Sequence, residues 1–263
     1  DIREGLTRLP AGRRLGARDL MLAAALGYAV VPVRRRPRVA ILATGDELVL
    51  PGEPRRPDQI ISSIPFAIAE LVSAAGGEPQ TLGIARDTLE SLDAHIARAA
   101  DADVLVTIGG ASVGDHDLVH RALTARGLDL AFWKIAMRPG KPLMSGRLGK
   151  QRVVGLPGNP VSAMMCALVF LRPLLLALVG DGSRTNALPQ LPLASELPEN
   201  GERQHYMRAT IVDGATGPVL QAAANQDSSL VSVLAESSVL IVRPPRSPAA
   251  RAGDSVPYIP LTD

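Results

Sequence analysis

Val104-Leu105-Val106-Thr107-Ile108-Gly109-Gly110 is a short apolar run rich in β-branched side chains that ends at two glycines. Such a run, bounded by Gly and too short for a helix, reads as a strand buried on both faces. Outward from it the pattern repeats. Residues 38–44, 78–84 and 152–156 are further strands, the first ending at Thr44-Gly45-Asp46-Glu47 and the last at Leu156-Pro157-Gly158-Asn159-Pro160. Residues 65–75, 89–100 and 118–126 carry helical text between them, 130–135 and 143–145 add strands, and a long helix is expected over 161–179. Strands alternating with helices predict an α/β domain of three layers, a mostly parallel sheet with helices on both faces.

The flanks read differently. Residues 1–36 are short and basic, with one helix over 15–27 and a brief strand at Val30-Val31-Pro32-Val33, too little to bury a core alone. Gly180-Asp181-Gly182-Ser183 reads as a linker. After it, segments 203–212, 218–223, 230–234, 238–243 and 255–259 are short, Val/Leu-rich and separated by Gly, Pro and Ser, which predicts a small all-β domain, a barrel or sandwich. The expected units are therefore 1–36, 37–182 and 187–263.

Of the 263 residues, 46% are hydrophobic and 21% charged, as in a packed protein. A net charge of +2 and 3% aromatic residues give no call for a nucleic-acid partner. Cys166 is the one cysteine, so no intrachain disulfide can form; it reads as a buried packing residue in a reducing cytoplasm. Asp1-Ile2-Arg3 opens no apolar signal segment, and residues 161–179, interrupted by Ser162, Arg172 and Pro173, read as a core or interface helix rather than a membrane span. Among 28 basic residues only Lys134, Lys141 and Lys150 are lysines, and they fall close together. Arg and Lys are not interchangeable at every site, so the cluster suggests positions that need an ammonium group.

Sheets of this kind bind ligands outside the carboxyl ends of their strands. Four polar or Gly-rich segments stand there: 44–47, 86–87, 109–117 and 157–160. Gly109 and Gly110 let backbone N–H groups approach an anion, Ser112 adds a hydroxyl, and Asp115 and Asp117 bring carboxylates suited to Mg2+ bridging a phosphate. His116 reads as a surface or packing residue. Asn159 suits the N-cap and Pro160 the first turn of the long helix, whose free N–H groups would face an anion. A plain turn and a rigid helix start are the competing readings of these two segments. Lys134, Arg138 and Lys141 lie in a loop stiffened by Pro139, Gly140 and Pro142, which favours anion binding over a solvated charge run. Glu47 and Asp87 gain weight from their place at strand ends, whereas Asp46 reads as a cap. Walker A, G-x-G-x-x-G and zinc-spaced Cys/His sets are absent.

Five of these segments, in this order and spacing, resemble the MoeA / gephyrin E-domain family, the molybdopterin molybdenumtransferases. They are Ala43-Thr44-Gly45-Asp46-Glu47-Leu48, Gly83-Ile84-x-Arg86-Asp87, Gly109-Gly110-x-Ser112-Val113-Gly114-Asp115-x-Asp117, Lys134-x-Ala136-Met137-Arg138-Pro139-Gly140-Lys141-Pro142 and Gly155-Leu156-Pro157-Gly158-Asn159-Pro160-Val161-Ser162. The resemblance implies a Mog/MoaB-like α/β domain followed by the family's C-terminal β domain, with 1–36 the end of its N-terminal linker region. It implies insertion of molybdenum from molybdate into adenylated molybdopterin, with Mg2+ assisting cleavage of the adenylate. Glu47, Asp87 and Asp117 would then position metal, water or substrate, and Lys134, Arg138 and Lys141 would hold molybdate and phosphate. Thr44, Gly109, Gly110, Ser112, Gly114, Asp115, Pro157, Gly158, Asn159 and Pro160 would line the substrate site. A cytoplasmic homodimer is implied, with the adenylyltransferase and apo-molybdoenzymes as further partners.

One segment departs from the family. Where it usually has Asp-Ser/Thr-Asn, this chain has Ser62-Ser63-Ile64, losing a carboxylate and a carboxamide; the two hydroxyls could still cap the following helix. Two other readings stay open: a molybdopterin adenylyltransferase, against which the Leu-Pro-Gly-Asn-Pro loop and the β domain speak, and a non-catalytic molybdopterin-binding or scaffold paralogue.

Overall fold

The structure, a computed structural model, describes residues 3–110, 117–182 and 187–261. In chain order its elements are α1 (Ala17–Ala25), β1 (Arg38–Thr44), β2 (Leu48–Val49), β3 (Ile60–Ile61), α2 (Ile64–Ala74), β4 (Glu78–Ala85), α3 (Leu89–Ala97), β5 (Val104–Ile108) and α4 (Leu118–Ala125). Then come β6 (Asp129–Trp133), β7 (Met137–Arg138), β8 (Met144–Leu148), β9 (Gln151–Leu156), α5 (Pro160–Cys166) and α6 (Arg172–Leu178). The remainder is β10 (Gln190–Pro192), β11 (Gln204–Gly214), β12 (Gly217–Ala222), α7 (Val231–Glu236), β13 (Val239–Arg243) and β14 (Ser255–Pro260).

The first sheet runs β4-β1-β5-β9-β8-β6. Strands β4, β1, β5 and β9 are parallel; β8 runs antiparallel to β9, and β6, antiparallel to β8, points the same way as the other four. In β5 alternate side chains enter opposite layers, as the period of a strand requires. Val104, Val106 and Ile108 join Ile68 and Val72 of α2 and Val161 and Met165 of α5 in one core. Leu105 joins Leu92 of α3 and Leu123 of α4 in the other. This is the three-layer α/β arrangement the sequence predicts.

Helices α5 and α6 form one continuous rod, Pro160–Leu178, joined by a π turn at Ala167–Leu171. Pro173 has no N–H to return to the preceding turn, and the widened turn sits just before it. By length and composition this helix could cross a membrane, yet Val161, Ala163, Met165, Cys166, Leu171 and Leu175 are packed in the core of the first domain.

The second sheet is antiparallel, in the order β10-β14-β13-β11-β12. A bridge from Leu193, just beyond β10, to Leu220 of β12 brings its two edges together. Leu193, Leu197, Ala209, Leu220, Val239, Ile241 and Val256 fill its interior.

Two expected strands are not formed. Val30 and Val33 are 82% and 69% exposed in irregular chain, where Pro32 cannot donate to a ladder. The run 230–234 is helical instead, as α7; Leu234 packs on the main core, and β11 is already paired with β7, β12 and β13. Helix α1 occurs inside the expected 15–27 range, and β2, β3 and β7 are short strands in text read as loop.

His205, on β11, is 9% exposed. Burial, reinforced by Arg138, Arg203, Arg208 and Arg243, pushes its pKa down from 6.5 to about 4. The folded histidine is therefore neutral, whereas an unfolded chain takes up the proton near 6.5. Its contribution is whole above pH 6.5 and is lost as pH falls toward 4, up to about 3 kcal/mol. Urea denaturation of His205→Gln should show a flatter stability profile between those pH values; an unaltered slope would contradict this account.

Candidate functional site

The carboxyl ends of β1, β4, β5 and β9 meet on one edge of the sheet, and hydrogen bonds tie them together. Gly45 N donates to Ala85 O at 3.2 Å and Gly109 N to Leu156 O at 3.1 Å. The Thr44 hydroxyl donates to Ile108 O at 3.4 Å. Asp87 N donates to Asp46 Oδ1 at 3.3 Å, so Asp46 caps the neighbouring strand end rather than its own turn. Gly109 has φ +90, and a Cβ there would lie 2.7 Å from Thr44 O. Only glycine lets the chain bend this close to β1.

A cavity of about 740 Å³ opens over this edge. Its wall brings together Thr44, Glu47, Asp87, Gly109, Gly110, Asp117, Pro157, Gly158, Asn159 and Pro160, ten residues singled out from sequence. The first residues of three helices lie in it: Ser63 and Ile64 of α2, Asp117 and Leu118 of α4, Asn159 and Pro160 of α5. Helix N-termini carry partial positive charge and unpaired N–H groups, so three converging on one space suit an anionic ligand.

Lys134, Arg138 and Lys141 are not in the cavity wall. They lie exposed on the loop between β6 and β8, at the same sheet edge, because β8 runs antiparallel to β9 and Met144 sits opposite Gly155. Pro142, next to Lys141, is in the wall. Ser112, Gly114, Asp115 and His116 lie outside the described residues, as does Ser183 of the linker.

Asp117 is the buried carboxylate of the set, at 7% exposure, while Glu47 and Asp87 stand exposed at the rim. Burial raises the Asp117 pKa from its ordinary value, against the lowering effect of the His120 and Val119 backbone N–H groups. Its Oδ1 accepts from His120 N at 2.9 Å and so caps α4. A buried carboxylate in a cavity wall that holds no basic side chain among the described residues suits a cation. Among the described residues no preassembled cluster of three metal-binding side chains exists. Mg2+ is commonly held by one or two carboxylates, waters and substrate phosphates, so these residues fit it without such a cage.

Two capping expectations are corrected. Neither Ser62 nor Ser63 caps α2, because Ser63 already has helical backbone angles. Asn159 occupies the N-cap position, but its side chain makes no cap bond and its Oδ1 is buried without a partner. A buried unpaired carbonyl in a cavity wall is what a ligand's donor group would satisfy. Cys166 is fully buried, its thiol pushed up to about 12 by burial, as expected of a packing residue. Ile60 and Ile61 also line the cavity and lie outside the five quoted segments. The isoleucines reach it because β3 pairs with β2, a contact no local pattern announces.

Strand ends carrying carboxylates and glycine turns around an anion-suited cavity place this among the α/β domains that take a ligand at the carboxyl ends of their strands. Residues 40–177 match the family described as "Probable molybdopterin binding domain", and 190–261 match "MoeA C-terminal region (domain IV)". The chain belongs to the MoeA family. It is 34% identical over 247 residues to the molybdopterin molybdenumtransferase of Nostoc, covering 91% of this chain and 56% of the relative. To that of Haemophilus influenzae it is 33% identical, covering 99% and 65%. The solved molybdopterin biosynthesis moea protein from Pyrococcus horikosii superposes with a TM-score of 0.82 at 28% identity, covering 96% of this chain and 61% of that one. The chain thus spans little more than half to two thirds of the length of these relatives.

Proposed function

We infer that this protein acts in molybdenum cofactor biosynthesis as a molybdopterin molybdenumtransferase, taking adenylated molybdopterin and molybdate as substrates. The observation that carries the reading is the single cavity in which Glu47, Asp87 and Asp117 meet three helix N-termini, with the Lys134–Arg138–Lys141 loop at its border. Relatives named for that activity support it. The units 1–36, 37–182 and 187–263 go with the same reading.

In this reading the glycine-bearing turns at 109–110 and 157–160 hold the phosphate-bearing part of the substrate. Asn159 Oδ1 accepts a hydrogen bond from the ligand. Glu47, Asp87 and Asp117 would hold Mg2+, which when bound supplies charge neutralisation and polarisation at the adenylate phosphorus. The carboxylates also orient a water for the cleavage, and Leu48, Ile60, Ile61 and Ile64 exclude bulk solvent from that side. Lys134, Arg138 and Lys141 hold the molybdate oxyanion, ammonium groups acting as compact charges where a guanidinium fork need not fit.

The half-exposed apolar residues Val169, Phe170, Leu174 and Leu178 of the long helix support a homodimer. The reaction and the single buried thiol support a cytoplasmic location. Removing one of three cations from an oxyanion site should weaken it about tenfold or more. Calorimetric titration of Lys141→Ala with molybdate tests the loop's role, and an affinity equal to that of the unaltered protein would remove it.

The neutral Ser62 and Ser63 in the cavity wall favour one second reading, a paralogue that binds molybdopterin without turnover. Restored cofactor synthesis in a strain lacking its own transferase would exclude it.

A further inference from the structure

The loop that bears the three cations is held at three places. At its base, Lys134 N donates to Leu143 O and Ile135 N to Lys141 O, both at 3.0 Å. On one side β7 extends the second sheet: Met137 lies opposite Gln204 and Arg138 opposite His205, and Gln204 N donates to Ala136 O at 2.9 Å. On another side the loop is seated on α5, where the Cys166 thiol donates to Gly140 O at 3.5 Å. The seat is close: Gly140 has φ +108, and a Cβ on it would come 2.5 Å from Cys166 Sγ.

The side chains of Lys134, Arg138 and Lys141 are exposed, so the path of the backbone sets where their charges stand. Three like charges held within eight residues repel one another, and an unrestrained loop would spread them. Restraint before binding removes that cost from the binding step. The parallel pairing with β11 is the restraint supplied by the C-terminal domain.

We propose that β11 is a positioning element for oxyanion binding, with the backbone of Gln204 and His205 holding Lys134, Arg138 and Lys141 beside the cavity. This rests on the reading of the 134–142 loop as the oxyanion site. The C-terminal domain then works on the site without a side chain touching the ligand, and its strand register tunes affinity for the anion.

The test uses inorganic molybdate and the intact protein. Gln204→Pro removes the N–H that holds Ala136 and should weaken molybdate binding about tenfold, whereas Gln204→Ala keeps that N–H and should stay within about twofold of the unaltered protein. Unchanged affinity in Gln204→Pro, alongside weakened binding in Lys141→Ala, overturns the positioning role and leaves the loop reading intact. Unchanged affinity in Lys141→Ala overturns both. Should Gln204→Pro fail to fold, amide exchange in the unaltered protein decides. By linkage, saturating molybdate must slow exchange of the Gln204 N–H, by about fivefold or more, if the pairing and the site are coupled. Exchange indifferent to molybdate overturns the proposal.

Discussion

On the proposed function, Asp117→Asn is expected to lower Mg2+-dependent turnover of adenylated molybdopterin about 10²- to 10³-fold, the loss typical of removing one charge-stabilising group from an active site. The same change should leave the melting temperature within about 2 °C. The two readouts separate because Asp117 has two jobs. One oxygen accepts from His120 N and caps α4, and asparagine caps a helix start as well as aspartate does. The negative charge is the part asparagine cannot supply. Burial already disfavours that charge, so neutralising it relieves a desolvation cost and should not destabilise the fold. Steady-state rates measured across a Mg2+ series would check this. A variant as active as the parent at every Mg2+ concentration would move the metal site away from Asp117.

Leu105→Ala should cost about 3 kcal/mol of stability, within the range for emptying a fully buried leucine site. Leu105 is 0% exposed on β5, between β1 and β9, and packs against the α3–α4 layer. Neighbouring strands hold the backbone on both sides, so the cavity cannot readily collapse. Leu130→Ala is the control: Leu130 is 37% exposed on the edge strand β6 and should cost less than about 1 kcal/mol. Equilibrium urea unfolding of both variants measures the difference. A loss below about 1 kcal/mol at Leu105 would mean that β5 is not the centre of the domain.

How much of the site could be read in advance depended on the reach of each signal. Gly109, Gly110, Asn159 and Pro160 are local punctuation, and they stand where strand-end logic places them. Glu47, Asp87 and Asp117 lie far apart in sequence, yet each follows an apolar strand whose parallel neighbours are evident in the pattern, so their meeting could be anticipated. Ile60 and Ile61 could not be placed. Two residues of strand carry no period, and their position depends on β2. The C-terminal run 230–234 departs from its expected strand for the opposite reason. Its composition suits a strand, but a strand needs a free edge to pair with, and β11 had none left.

The three lysines show where the boundary falls. Their rarity beside abundant arginine, and the Pro/Gly frame around Lys134 and Lys141, are what the proposed anion loop rests on in the sequence. Lys150 belongs to a turn between β8 and β9 and takes no part in it. The doubly buried strands and the strand-end turns were determined by sequence, because each rests on local conformation or composition. Which cations border which carboxylates, and that a strand of the second domain grips the loop between them, was decided only by tertiary structure. The first depends on which strands lie side by side in the sheet and the second on a pairing between segments more than sixty residues apart, and a hydrogen bond from Gln204 to Ala136 leaves no mark on either local sequence.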